Sequence, residues 1–282
     1  MNDNNFGFDN NIKLLSVYKP LFDTDRRYIL ISGGRGSGKS FHTAMFVLSE
    51  LLKPNRVILY LRYTQVSARI SIIPEFLEKI ELMNLGNILR VTNNEIYNKY
   101  NNSKIIFRGI KTSTNDNTAN LKSITGVTTM IIDEAQEFTD EDKFDTLDLS
   151  VRSKAGENKI ILILNPTNKS HWIYKRFIAG NNDLKEIDGI FVPISNKKNV
   201  LHIHSTYLDN MHNLEESFID RVNEMKEYDY KKYRSEIIGD WSHSDSSIFV
   251  KEEELKFFSN VEDIINTKEF TIGYIDVADG GT

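Results

Sequence analysis

The stretch Tyr28-Ile29-Leu30-Ile31-Ser32-Gly33-Gly34-Arg35-Gly36-Ser37-Gly38-Lys39-Ser40 decides how this chain is read. A short apolar run, predicted as a strand, gives way to a glycine-rich turn. Lys39-Ser40 then opens a segment, Phe41 to Leu52, that predicts a helix. Gly33, four intervening residues and Gly38-Lys39-Ser40 complete the spacing of a phosphate-binding loop. Glycines at Gly33, Gly34, Gly36 and Gly38 let successive backbone N–H groups turn inward around a polyphosphate, with Arg35 and Ser37 between them. The helix N-terminus adds partial positive charge. In such a loop Lys39 reaches the β- and γ-phosphates and the Ser40 hydroxyl ligates Mg²⁺. A glycine-rich strand-to-helix turn carrying a lysine by coincidence is the bland alternative, and it leaves the full spacing unexplained.

Working outward, the 282 residues suffice for one large or two small domains. There is no cysteine, which excludes disulfides, thiolate metal sites and thiol catalysis. No apolar run approaches a membrane span, and the Asn- and Asp-rich start is not a signal peptide, so an intracellular compartment is expected. A formal net charge of −5 excludes a strongly basic nucleic-acid binder, though not a motor that grips DNA on a local patch.

Ahead of the loop, Tyr18 could stack on a base or pack on the sheet edge, and Arg26 and Arg27 could touch a nucleotide or be solvated. Beyond it, Arg56 to Arg62 predicts a buried strand, Ile72 to Leu82 an amphipathic helix, and Glu95–Tyr100 with Lys104–Arg108 a hairpin. Thr112 to Thr118 is a polar loop. Thr128 to Phe138 carries the second chemical signal, since Met130-Ile131-Ile132 predicts a strand that delivers Asp133 and Glu134 side by side. In a chain with a phosphate loop this fits a Walker B element. Asp133 would order Mg²⁺ through its water shell and Glu134 would orient and activate the attacking water. Thr139 to Asp142 reads as an acidic helix start rather than a metal site. Lys159 to Leu164 predicts another buried strand, ending in Asn165-Pro166-Thr167, which is either a γ-phosphate sensor or a plain turn. His171 to Ala179 predicts a helix. Val200 to Ser205 predicts a strand with His202 and His204 on one face; without a third ligand these are structural histidines. Leu214 to Ile238 reads as helical with a break near Tyr228-Asp229, and Ser242 to Ser247 as a linker.

Together, Gly33–Ser40, Ile131-Ile132-Asp133-Glu134-Ala135, Asn165-Pro166, Ile237-Ile238-Gly239-Asp240-Trp241 and Gly273-Tyr274-Ile275-Asp276 resemble the large terminase subunit of tailed bacteriophages. The likeness runs from about Pro20 to the end. It implies an α/β fold, a P-loop NTPase with a mainly parallel sheet flanked by helices over 1–245. It further implies that 246–282 is a linker and the first strand of an RNase H-like nuclease, cut short. The implied activity is ATP hydrolysis that drives double-stranded viral DNA into a procapsid, with ATP and Mg²⁺ as cofactors. Implied partners are the small terminase subunit, the portal and further copies in a ring, in the host cytoplasm. A helicase on the same core and a nucleotide-regulated assembly module are the rival readings. Among residues, the resemblance assigns Arg35 a role in cis on the γ-phosphate, and Asn165 and Thr167 a role in coupling. It asks for a second basic residue acting on a neighbouring subunit's nucleotide, with Lys122 and Arg152 as candidates. Asp276 would be a nuclease metal ligand, with no nuclease activity expected from this chain alone.

Overall fold

The protein's structure is a computed structural model that describes residues 12–64, 72–111 and 124–242. Its strands are β1 (Tyr28–Gly33), β2 (Val57–Thr64), β3 (Leu89–Val91), β4 (Glu95–Asn98), β5 (Lys104–Lys111), β6 (Thr129–Ile132), β7 (Lys159–Leu164), β8 (Asn182–Ile187), β9 (Ile190–Ser195) and β10 (Val200–Ser205). Eight of them form one sheet in the order β10-β1-β7-β6-β2-β5-β4-β3, while β8 and β9 pair as a separate antiparallel hairpin. From β10 to β5 every pairing is parallel; β4 and β3 add an antiparallel edge. Near-continuous apolar sequences such as Lys159-Ile160-Ile161-Leu162-Ile163-Leu164 are the mark of strands covered on both faces.

Alternation along those strands divides the core in two. Ile29, Ile31, Ile131, Ile161 and Ile163 face α1 (Lys19–Asp23), α2 (Lys39–Leu52) and α3 (Ile73–Leu82). Leu30, Met130, Ile132, Leu162 and Leu164 face the other way, onto Phe144 and Leu147 of α4 (Glu141–Asp148) and Trp172, Ile173 and Phe177 of α5 (Trp172–Phe177). Asp140 caps α4 by accepting from the Lys143 amide at 3.0 Å, so the acidic run is a helix start, as its sequence suggests.

A third cluster joins Ile187, Ile190 and Val192 of the hairpin to Tyr207 of α6 (Tyr207–Asn210), Val222 of α7 (Glu216–Tyr228) and Tyr233, Ile237 and Ile238. The expected break at Tyr228-Asp229 is present, and Tyr233–Ile238 follows as a π-helix. Tyr228 and Tyr230 are exposed whereas Tyr233 is buried. The β8–β9 hairpin has no counterpart in the sequence reading, because Asp183-Leu184-Lys185-Glu186 reads as polar surface. Its turn, Asp188-Gly189 with φ of 52° and 76°, is the dipeptide that favours tight hairpins and is the available signal.

Two of the open readings resolve toward structure. Tyr18 is fully buried, its hydroxyl bonded to Ser37 O at 3.0 Å and to Ser205 Oγ, so it is not placed to stack on a base. Arg27 pairs with Asp148 and Arg26 donates to Val200 O, both as scaffold contacts. The polar loop at 112–118, most of the 242–247 linker, Lys122, the 246–282 segment and Asp276 lie outside the described residues. No helix among the described residues is long and apolar enough to cross a membrane.

The Gly239-Asp240-Trp241 block acquires a physical reason. Gly239 has φ 75°, and a Cβ there would lie 2.6 Å from Gly33 C and 2.7 Å from Gly34 N. The chain therefore crosses the start of the phosphate loop backbone to backbone. Asp240 then pairs with Arg234, and Trp241 is buried with its ring 5.2 Å from that of Tyr174. Gly239→Ala is expected to cost about 3 kcal/mol through strain and overlap, read as a lower urea midpoint; an unchanged midpoint would refute the contact.

Candidate functional site

β1, β7 and β6 are neighbours in the sheet: Ser32 sits opposite Leu164 at the end of β7, and β6 ends two residues earlier, with Ile132 opposite Leu162. Their carboxyl ends open into a cavity of about 400 Å³ lined by Gly34 to Phe41, Arg62, Asp133, Glu134, Gln136, Asn165 and Phe218. The sequence-predicted loop residues Gly34, Arg35, Gly36, Ser37, Gly38, Lys39 and Ser40 thus meet Asp133, Glu134 and Asn165 in one place, with Gly33 directly behind.

The loop is held by its carbonyls. Lys39 Nζ donates to Gly33 O at 2.8 Å, Gly34 O at 2.7 Å and Ser37 Oγ at 3.1 Å. Asn210 Nδ2 donates to Gly36 O at 2.8 Å, and the Tyr18 hydroxyl holds Ser37 O. His42 receives the Leu15 amide on Nε2 at 2.9 Å, so its proton sits on Nδ1 and is donated to Gly38 O at 2.8 Å. The Arg35 amide donates to Glu236 O at 2.8 Å, while its guanidinium lies 3.6 Å from the Glu236 carboxylate at the cavity rim. A side chain at Gly36 would be strained at φ 75° and would have to displace the Phe218 ring, 2.8 Å from its Cβ.

Electrostatics single out two groups. Burial lowers the Lys39 pKa to about 7; nearby Arg35 acts in the same direction and Asp133 against it. Burial also raises the Asp133 carboxyl to about 6, with Arg62 opposing the shift and Glu134 adding to it. Glu134 adopts φ 54°, a left-handed conformation that costs a β-carbon residue about 1 kcal/mol, and it turns the chain directly after the strand. Its amide donates to Asp133 Oδ1 at 3.1 Å.

Arg62, in the sequence only the end of a strand, is a site residue that sequence reasoning misses. Its side chain bridges the two carboxylates, with Nε 3.2 Å from Asp133 Oδ2 and an Nη 2.6 Å from Glu134 Oε1. A lone arginine at a strand end carries no motif. Its place comes from the sheet, where β2 lies beside β6 with Leu61 opposite Ile132. Gln136 is a second such residue; its Oε1 accepts from the Asn165 amide at 3.2 Å, linking the strand ends. Thr167 does not line the cavity. Its carbonyl accepts from the Ser242 amide and hydroxyl, each at 2.7 Å. Arg152 is exposed and likewise not part of the lining. His202 and His204 are hydrogen-bonded in the interior, the structural outcome expected, and no cluster of three or more His, Asp or Glu suited to a metal occurs among the described residues.

A parallel α/β sheet with a glycine-rich strand-to-helix loop facing an Asp-Glu pair defines the P-loop nucleoside-triphosphatase class. Within that class, the family model described as phage terminase large subunit matches residues 25–240, and the chain belongs to this family. It is 31% identical over 224 residues to the PBSX phage terminase large subunit of Bacillus subtilis, covering 76% of this chain and 49% of that protein. The chain spans about half the length of the curated relatives it matches. Among solved structures, the large terminase ATPase domain of Thermus phage P74-26 aligns with TM-score 0.59 at 17% identity, covering 82% of this chain and 94% of that one. The large terminase of a thermophilic bacteriophage, in complex with ATP-γ-S, aligns with TM-score 0.55 at 18% identity, covering 80% and 51%.

The Asp133 shift makes the Arg62 bridge testable. A carboxyl raised on folding binds more protons in the folded state, so stability falls as pH rises from its ordinary value toward about 6. Removing Arg62 lifts Asp133 further and extends that fall. Arg62→Ala is therefore expected to lose about 3 kcal/mol at pH 8 and clearly less at pH 5. Urea titrations at the two pH values measure this, and a pH-independent loss would contradict the bridge.

Proposed function

We propose that this chain supplies the ATPase part of a phage DNA-packaging motor, with residues 1–245 as the ATPase domain. The observation that carries the reading is the half-buried Lys39 ammonium. Among the described residues it has only neutral oxygens within hydrogen-bond reach, in a loop whose carbonyls at Gly33, Gly34, Gly36, Ser37 and Gly38 are all engaged by side chains. With the carbonyls so committed, the amides are what the loop offers a ligand, and a triphosphate gives Lys39 the anion its surroundings lack. Family membership and the ATP-γ-S complex of the thermophilic phage relative support ATP as that triphosphate.

In this reading Lys39 and the loop amides take the β- and γ-phosphates, and Arg35 leaves Glu236 for the γ-phosphate, where a guanidinium neutralises developing charge. Ser40 and Asp133 would hold Mg²⁺. The fit rests on donor chemistry: one hydroxyl and one carboxylate beside a phosphate site suit a hard ion that keeps waters and phosphate oxygens as its other ligands. When bound, that ion screens the phosphate charge. Glu134 orients the attacking water and accepts its proton. Arg62 offsets the charge of the paired carboxylates, which the low-dielectric wall would otherwise set against each other. Asn165, tied to Gln136, reports the state of the site. Thr167 passes it to Ser242, where the chain leaves the described residues.

The substrate polymer is double-stranded DNA, and the partners are the small terminase subunit, the portal and further copies of the chain in a ring, in the host cytoplasm. Lys122 or Arg152 would act on a neighbour's nucleotide. Residues 246–282 would begin the nuclease, with Asp276 as its first metal ligand. Terminase membership over residues 25–240 supports the DNA and assembly assignments, while the trans-acting and nuclease assignments rest on the sequence resemblance alone.

Steady-state ATP hydrolysis with Mg²⁺, with and without linear duplex DNA, tests the reading. Glu134→Gln should retain ATP binding while turnover falls at least about hundredfold; near-normal turnover would remove Glu134 from its role, and a wild-type rate indifferent to DNA would count against the motor. Lys39 supplies an independent check. With its pKa lowered to about 7 this ammonium gives up its proton more readily than an ordinary lysine, and a bound polyanion favours the charged form. ATP binding should thus be accompanied by proton uptake that grows between pH 7 and pH 8, measured by calorimetry in buffers of different ionisation enthalpy. Lys39→Met should abolish the uptake.

A further inference from the structure

Four hydrogen bonds run in series behind the phosphate loop. Ser195 N donates to His202 Nδ1 at 2.9 Å, His202 Nε2 meets Ser32 Oγ at 2.7 Å, Ser32 Oγ meets His204 Nδ1 at 2.8 Å, and His204 Nε2 meets Ile238 O at 3.0 Å. The two ends fix the direction. A backbone amide can only donate and a backbone carbonyl can only accept. His202 therefore receives on Nδ1 and carries its proton on Nε2, which it donates to Ser32. The Ser32 hydroxyl donates onward to His204 Nδ1, and His204 donates from Nε2 to Ile238 O. With both rings neutral, this is the one arrangement of protons that satisfies all four bonds.

The surroundings keep them neutral. Burial holds His204 down to about 3 and His202 well below the usual histidine value. The cations facing them, Lys185 from β8 and Lys39 from α2, push in the same direction, and Lys185 Nζ donates to His204 O at 3.2 Å. Among the described residues, neither ring hydrogen-bonds to a carboxylate.

The ends of the series matter for the site. Ser32 immediately precedes Gly33, whose carbonyl accepts from Lys39, and Ile238 immediately precedes Gly239, which lies against Gly33 and Gly34. The Arg35 amide bonds to Glu236 O two residues before Ile238. The far end is the β9 residue Ser195, on the hairpin.

We propose that Ser32, His202 and His204 are positioning residues that lock the phosphate loop in register with the Tyr233–Gly239 segment and tie both to the β8–β9 hairpin. The loop's grip on a triphosphate then depends on a hydroxyl and two imidazoles that never touch the ligand. That last step rests on the ATP-binding reading above, while the lock itself does not.

Two measurements on the full chain separate the possibilities. Amide hydrogen exchange reads the lock directly. In Ser32→Ala, exchange at Arg35, whose amide depends on Glu236 O, should quicken by about tenfold, with protection at Ile29 to Ile31 unchanged because those amides bond within the sheet. ATP affinity reads the consequence, and should weaken by a similar factor. Ser32→Thr, which keeps the hydroxyl, should restore both. His202→Asn retains an acceptor for Ser195 and loses the donor to Ser32. It should shift both readouts in the same sense if Ser32→Ala fails to fold. A lower melting temperature with unchanged Arg35 exchange and unchanged affinity would mean a merely structural pair and overturn the proposal. If the wild-type chain binds no ATP, the nucleotide reading fails and the exchange measurement alone decides the lock.

Discussion

A half-buried lysine ammonium at the start of a helix, with no carboxylate of the described residues in hydrogen-bond reach, is the constraint around which this protein is built. Lys39 draws the carbonyls of Gly33 and Gly34 toward itself, and that curvature is what a polyphosphate cradle requires. The cost of desolvating the charge is visible in a pKa lowered to about 7. Such a group is tolerated because the surrounding elements over-determine its position. Tyr18 and His42 come from one side of the sheet, and Asn210, Phe218 and Gly239 from the segments that follow β10. The loop is therefore a product of distant parts of the chain, although its recognition pattern is local.

The acid side of the cavity follows a complementary logic. Two adjacent carboxylates at a strand end repel each other, and burial of Asp133 sharpens the conflict. Arg62, delivered by the neighbouring strand in register, offsets the charge and orients both groups. The left-handed turn at Glu134 lets consecutive residues serve one cavity, where extended backbone would send them to opposite faces.

Much of this is legible in the sequence because it depends on short-range spacing. The loop, the apolar run ending in Asp133-Glu134, and the strand ending at Asn165 each carry their periodicity and their polar terminus within a dozen residues. The hairpin over 182–195 is harder. Only its Asp188-Gly189 turn speaks for it, and Leu184 and Phe191 remain exposed on its outer face, so its alternation does not follow a simple inside–outside rule. Arg62, Gln136 and the Ser32–His202–His204 series are illegible for a different reason. Each depends on which strands become neighbours, and non-consecutive strand order is not written in any single segment.

Local sequence was enough for the class of fold, the loop and the carboxylate pair, since glycine conformational freedom, helix polarity and apolar alternation act over a few residues. It took the folded sheet to settle that Tyr18 supports the loop from within the core instead of facing a ligand. The same holds for Gly239, which must be glycine because two backbones cross there, and for Arg62, which bridges the acids. The physical reason is common to all three: each rests on close contact between segments far apart in the chain, and only the assembled sheet brings them within reach of one another.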